Sequence, residues 1–158
     1  MRRLIPILLV ILMSCMFLSS CKKKTEKGYR KEDLTLVDET PGTFPIVARV
    51  KDGSDGENLT VEFTNNGEET WFYGEYYSIQ VLIDGKRYYV PTVEPWVVHD
   101  LGHELQPGQT LTMTYSLAPY GTLKPGSYII ACGDIGNKTN VYYADFVVME
   151  NGGFLFPA

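Results

Sequence analysis

The chain has 158 residues, 44 % of them hydrophobic and 21 % charged, with a formal net charge of −5. That length suits one domain with a real core. The acidic balance speaks against a nucleic-acid binder, which needs a basic footprint, and three cysteines leave little for a disulfide framework.

The first twenty residues have the three parts of a signal peptide. Arg2 and Arg3 form a positive start, Leu4 to Leu18 is apolar except for Pro6 and Ser14, and the small residues Ser19 and Ser20 follow. The apolar run is short for a bilayer span, which takes roughly 20 residues, and it suits a secretory h-region. Leu18-Ser19-Ser20-Cys21 resembles a bacterial lipobox, with a Leu three residues before a Cys and small residues between. The resemblance implies cleavage before Cys21 and a diacylglycerol thioether on its sulfur. The protein is then expected at the extracytoplasmic face of a cell membrane, held by lipid on Cys21. One acyl chain binds a membrane marginally, whereas two or more hold firmly.

Charge divides the remainder. Residues 21–33 carry six basic and three acidic side chains; from Leu34 onward there are six basic and sixteen acidic ones, a net −10. The basic stretch reads as a tether able to lie against anionic headgroups. With Cys15 lost in the leader and Cys21 lipidated, Cys132 stands alone. It follows Ile129-Ile130-Ala131, and a buried, inert thiol is its expected state. The expected division is a signal peptide over 1–20, the lipidated Cys and tether or lead-in over 21–43, a β-sandwich over 44–150 and an apolar tail over 151–158.

The domain reads as strands throughout. Ile46 to Lys51 is short and β-branched, and Asp52 to Asn58 is a polar loop. Leu59, Val61 and Phe63 then alternate with Thr60, Glu62 and Thr64, the pattern of a half-buried strand, so a hairpin is expected. Asn65-Asn66-Gly67 marks a turn. Trp71-Phe72-Tyr73-Gly74-Glu75-Tyr76-Tyr77 leads into a strand whose Ile79, Val81 and Ile83 share a face. Asp84-Gly85 reads as a type I′ turn, and Lys86 to Val90 returns. Pro91 and Pro95 flank Trp96, and a loop is expected through His99 to Glu104. Leu111, Met113, Tyr115 and Leu117 alternate with Thr and Ser, Ser127 to Cys132 is a strand, and Val141 to Met149 is the last long one, with a break in phase near Ala144-Asp145 that suggests a bulge. No helix is evident. About seven strands with regular turns give an all-β antiparallel sandwich.

The order of Asn65-Asn66, Tyr73-Gly74-Glu75-Tyr76-Tyr77-Ser78-Ile79, Asp84-Gly85-Lys86, Leu105-x-Pro107-Gly108 and Tyr120-Gly121-x-Leu123-x-Pro125-Gly126-x-Tyr128 resembles the bacterial immunoglobulin-like domains of small lipoproteins. The resemblance spans about Ile46 to Val148 and implies an immunoglobulin-like antiparallel sandwich, but no particular ligand. A more distant similarity is to bacterial intracellular proteinase inhibitors, which share the Asp-Gly turn and Pro-Gly corners. Many relatives place a Trp soon after that turn, where this chain has Tyr88-Tyr89. Leu-x-Pro-Gly before Tyr128 also resembles a tyrosine corner, whose phenol bonds back to the chain; Tyr128→Phe is expected to cost about 1–2 kcal/mol, the scale of one buried hydrogen bond.

No catalytic constellation, cofactor or metal site is expected. His99 and His103 lie four apart, beside Asp100 and Glu104, but Gly102 and the flanking prolines favour a loop, where that spacing has no special geometry. Asp52, Asp55 and Glu57 depart from a calcium loop's spacing. Several glutamates are present, yet nothing in the sequence sets two across a cleft. The aromatic density between Trp71 and Trp96 is the feature that points to binding. Tyr76-Tyr77 and Tyr88-Tyr89 are adjacent pairs, so one ring of each should point outward. Across the Asp84-Gly85 hairpin those rings, with Trp71 and Trp96, would make a patch for an envelope or extracellular protein, or for a glycan. Cross-strand packing alone is the competing account of the same residues. The expected function is a membrane-anchored, non-catalytic interaction module, with glycan binding and protease inhibition as alternatives.

Overall fold

The computed structural model describes residues 28–97, 101–133 and 140–157. Cys21 and the leader, His99 and residues 134–139 fall outside the described residues. The strands are β1 (Thr35–Leu36), β2 (Ile46–Val50), β3 (Asn58–Asn65), β4 (Trp71–Tyr73), β5 (Tyr77–Ile83), β6 (Lys86–Tyr89), β7 (His103–Leu105), β8 (Thr110–Ser116), β9 (Gly126–Cys132), β10 (Tyr142–Val148) and β11 (Phe154–Leu155). Short 3₁₀ turns at Lys31–Asp33 and Ala118–Tyr120 are the helical pieces among the described residues.

One sheet has the order β1-β6-β5-β9-β10-β11, a second β2-β3-β8, and β4 pairs with β7; every strand pairing is antiparallel. The alternation seen in sequence fixes which face is buried. In β3 the burial alternates strictly, with Leu59, Val61 and Phe63 fully inside. Ile79 of β5, Ile130 of β9 and Phe146 of β10 oppose them from the other sheet and are equally buried. Tyr77 on β5 meets Tyr115 on β8 at 4.8 Å between ring centroids, a contact that joins the two layers. The architecture is an immunoglobulin-like β-sandwich.

The expected hairpins form. β2 and β3 flank the polar loop, in which the Asp55 carboxylate accepts the backbone N–H groups of Glu57 and Asn58 at 2.9 and 2.8 Å. Those two bonds hold the Asp55 carboxyl below its usual range, so this acid closes a turn rather than presenting itself to a cation. Asp84 and Gly85 both have positive φ, 52° and 73°, as a type I′ turn requires. The Tyr128 hydroxyl donates to the Lys124 carbonyl at 2.5 Å, back across the Pro125-Gly126 corner. A loss of about 1–2 kcal/mol in Tyr128→Phe, read from the urea midpoint, is therefore the expected result.

Two expectations need correction. β10 pairs with β9 residue for residue from Tyr142 to Val148, so no bulge interrupts Ala144-Asp145. Tyr142, Ala144, Phe146 and Val148 point in and Asp145 points out, one continuous alternation in which a small Ala occupies an inner position. The segment read as a loop through Glu104 contains a strand, β7, which the partner strand β4 stabilises.

The lead-in and the tail both pair with the sandwich. The lead-in adds β1 to the edge of β6, and its Pro41 bridges Val141. Glu39 there accepts hydrogen bonds from Ser78 at 3.1 Å and Gln80 at 2.5 Å. Gln80 alternates with the core residues of β5, so it faces outward, yet it is fully buried because the lead-in crosses over it. At the other end the tail adds β11 to β10, and Phe154 stacks on Phe146 at 5.9 Å.

Candidate functional site

The aromatic residues divide between core and surface differently from the expected patch. Trp71 and Tyr77 are interior, at 3 % and 5 % exposure. Trp71 stacks on Tyr73 at 4.5 Å and meets Tyr142 edge-on at 5.0 Å, while the Tyr77 hydroxyl donates to the Ser116 carbonyl. Tyr88 and Tyr89 do not lie opposite Tyr76 and Tyr77. The two-residue turn sets Ile83 against Lys86, and the ladder then runs to Val81 against Tyr88 and Gln80 against Tyr89. Tyr88 packs against the core beneath β1, and the Tyr89 hydroxyl donates to Asp38 of the lead-in at 3.0 Å. Tyr76 is half-buried just before β5. A flat tyrosine platform across the hairpin is thus absent, because register and the lead-in strand both work against it.

Of the six residues, Trp96 and Tyr77 line an open cleft. After β6 the chain crosses to the other sheet between Pro91 and Pro95. It is held there by Val93 N–H donating to the Pro119 carbonyl at 2.8 Å. This places Trp96, half-buried, 4.7 Å from the Tyr77 ring. Between it and β8 lies an open cleft of about 410 Å³, with Tyr77 and Tyr115 as its inner wall, Met113 and Val97 at its mouth and Glu75 at one end. Val97 is 85 % exposed, so an apolar side chain stands at the cleft in water.

β8 supplies the other feature of the site. On β3, Asn65 donates its backbone N–H to the Gln109 carbonyl, and Leu117 donates to the Glu57 carbonyl. With Leu59 opposite Tyr115 and Val61 opposite Met113, the odd-numbered residues of β8 direct their backbone groups at β3. Thr110, Thr112, Thr114 and Ser116 therefore direct theirs the other way, to an edge that no strand occupies among the described residues. The Ser116 carbonyl is taken by Tyr77, and Thr110, Thr112 and Thr114 are left facing out. Alternation in the sequence identified the buried face of β8; the open edge depends on sheet order, which periodicity does not carry.

The ionisable groups near the cleft are committed to structure. His103 stacks on Tyr73 at 5.3 Å, and its Nε2 lies 3.1 Å from Glu75 Oε1. Among the described residues no group of three or more His, Cys, Asp or Glu side chains could hold a metal ion. Cys132 is buried at 2 % exposure, and burial pushes its thiol from 9.0 up to about 12. Burial, then the neighbouring Cys132, pushes the Tyr77 phenol from 10.0 up to about 12 as well.

Both protons are held more tightly in the fold than in the unfolded chain. Stability is accordingly whole below about pH 9 and is lost as pH rises from there towards 12, at up to about 1.4 kcal/mol per pH unit for a fully buried thiol. The urea midpoint is expected to fall above pH 9, and less steeply in Cys132→Ala. Iodoacetamide at pH 8, followed by peptide mapping, should label Cys132 only when denaturant is present. Labelling of the native protein at the unfolded rate contradicts the burial.

The comparisons with known proteins agree with this geometry. Among curated proteins and among solved structures no match to the chain is found. A family model described as bacterial Ig-like domain matches residues 48–146, from the first core strand to the centre of β10. The matched span covers both faces of the sandwich and excludes β1, β11 and the leader. With well over half of its length matched and a sandwich of this topology, the chain belongs to the bacterial Ig-like domain family.

Proposed function

We propose that this protein is a lipoprotein, tied through Cys21 to the extracytoplasmic face of a cell membrane, whose Ig-like domain serves as a non-catalytic protein-interaction module. The observation that carries the reading is the cleft beside β8, where exposed Val97, the half-buried Trp96 ring and an edge of β8 that no described strand occupies come together. Exposed apolar groups next to free backbone donors and acceptors fit a polypeptide partner, which satisfies both at once. The leader and the Leu18-Ser19-Ser20-Cys21 sequence support the anchor, and the basic residues after Cys21 suit a membrane-proximal tether. Among the described residues no helix is long and apolar enough to cross a membrane. The glycan reading built on Trp71, Trp96 and exposed Tyr rings draws less support, because Trp71 is interior and stands apart from the cleft that Trp96 lines.

Two variants of the full chain test the two halves of the proposal. Cys21→Ser is expected to block acylation and release the protein from the membrane fraction; unchanged processing and retention overturn the anchor. Val97→Asp should abolish crosslinking to envelope proteins while leaving the urea midpoint within about 0.5 kcal/mol, as expected for an exposed side chain. A crosslinking pattern identical to that of the wild type removes the cleft from the interaction.

A further inference from the structure

We propose that the open edge of β8 pairs with the β8 edge of a second copy of this chain, joining two three-stranded sheets into one six-stranded sheet across a two-fold axis. The inference rests on the interaction-module reading and names a partner for the same site.

The first argument is what the edge lacks. Sheet edges in soluble proteins are ordinarily guarded by Lys or other charges, by Pro, by a bulge, or by a covering segment. Thr110-Leu111-Thr112-Met113-Thr114-Tyr115-Ser116 contains no charge and no Pro, and its register with β3 is unbroken. Six of the seven residues are Thr, Leu, Met or Tyr, so the stretch is apolar or β-favouring for almost its whole length. The six-stranded sheet, by contrast, ends in strands of two residues, β1 at one side and β11 at the other. β2, the other edge of the three-stranded sheet, is shorter and carries Arg49, so among the described strands β8 is the long edge without a charge.

The second argument is electrostatic, and it selects a second copy. The chain from Leu34 onward is net −10, so two copies repel over most of their surfaces. At β8 they meet without any like-charge contact. The nearest carboxylate in the ladder, Glu62 opposite Thr112, already has Lys51 at 3.2 Å. The edge therefore matches itself where the rest of the surface does not.

The third argument is register. The residues whose outward backbone groups have no partner among the described residues are Thr110, Thr112 and Thr114, because Tyr77 occupies the Ser116 carbonyl. Antiparallel pairing about Thr112 sets Thr112 against its own copy and Thr110 against Thr114, and all three are used as hydrogen-bonded pairs. On the solvent side the threonine hydroxyls then face one another, as Thr64 and Thr110 already do at 3.0 Å within the chain. On the other side Leu111 meets Met113 of the second copy; both are half-buried in the single chain, with room for that cover.

The test is disulfide trapping in the full chain. Hydrogen-bonded antiparallel partners have Cα atoms about 5.5 Å apart, within disulfide range. Thr112→Cys is expected to give a dimer under mild oxidation, both in the membrane and after purification in detergent, and Thr60→Cys on the solvent face of β3 is expected to give none. In sedimentation, wild-type protein should dimerise more strongly as salt screens the acidic surfaces, and Thr112→Lys should be monomeric with an unchanged urea midpoint. Wild-type protein that stays monomeric at low and high salt overturns the proposal. So does Thr112→Cys crosslinking to a different protein only, an outcome that keeps the interaction-module reading and gives the edge to a foreign strand. Envelope crosslinks unchanged in Val97→Asp, with the Thr112→Cys dimer intact, separate the two in the other direction: the cleft is then no site for envelope proteins and the paired edge stands.

Discussion

Phe146→Ala is expected to lower the stability by about 3–5 kcal/mol, the range for truncating a fully buried aromatic ring. Phe146 has no exposed surface. Its place follows from the alternation of β10, which sends it inward between Ala144 and Val148, opposite Tyr128 on β9. The ring stacks on Tyr128 at 5.3 Å, and Phe154 of β11 lies on its other side at 5.9 Å. Phe156 continues the column at 6.4 Å from Phe154. Removing Phe146 therefore opens a cavity and also takes away the surface on which the tail rests. Phe154→Ala, by contrast, truncates a ring that is only half-buried and should cost about 1–2 kcal/mol. The double variant should cost less than the two single losses added together, because a tail already loosened has less to lose. Urea unfolding of the four proteins measures this; equal losses in the two single variants would show that Phe146 is not the member of the column that carries the core.

The parts of the fold legible in the sequence are those with a local cause. Leu59, Val61 and Phe63 alternate over a long strand, and Asp84-Gly85 carries a turn chemistry that few other structures use, so both hairpins could be read directly. β1, β4, β7 and β11 have two or three residues each, too few to show a period, and each exists because a distant partner is already in place. Gln80 shows the same limit at one residue. Its position in β5 is outward and polar, as alternation demands, and only the lead-in carrying Glu39 across it turns that position into an interior one. The candidate site is less legible still. Aromatic density drew attention to Trp71, Tyr77, Tyr88 and Tyr89, which the structure uses for packing or ties to the lead-in, while the charge-free run of β8 passed as an ordinary strand. A strand's sequence tells which face is buried; whether its edge is open is a property of the whole sheet.

Asn65→Ala is expected to cost about 3–4 kcal/mol although it removes only a small polar group. Asn65 ends β3 and has no exposed surface. Its side-chain amide donates to the Glu69 carbonyl at 2.8 Å and to the Leu105 carbonyl at 2.9 Å, and its oxygen accepts the Gly67 N–H at 2.9 Å. Three segments that sequence separates are thus tied to one side chain: the turn after β3, the approach to β4 and the end of β7. The backbone of Asn65 adds bonds from its own N–H to Gln109 and from Gly108 to its carbonyl, which fix the Pro107-Gly108 corner before β8. Alanine leaves the Leu105 carbonyl buried without its donor, at about 1–3 kcal/mol, and frees a turn that the amide had ordered. Aspartate in its place keeps the acceptor for Gly67 but sets a carboxylate against two carbonyl oxygens, so Asn65→Asp should be at least as damaging at pH 7 and partly relieved in acid, where a protonated carboxyl can donate once. The neighbour Thr64 points to the solvent face, and its hydroxyl contact with Thr110 is exposed, so Thr64→Ala should change the midpoint by no more than about 0.5 kcal/mol. If Asn65→Ala unfolds at the same urea concentration as Thr64→Ala, the amide does not tie these segments together, and the β3-β7-β8 corner must be held by its backbone bonds alone.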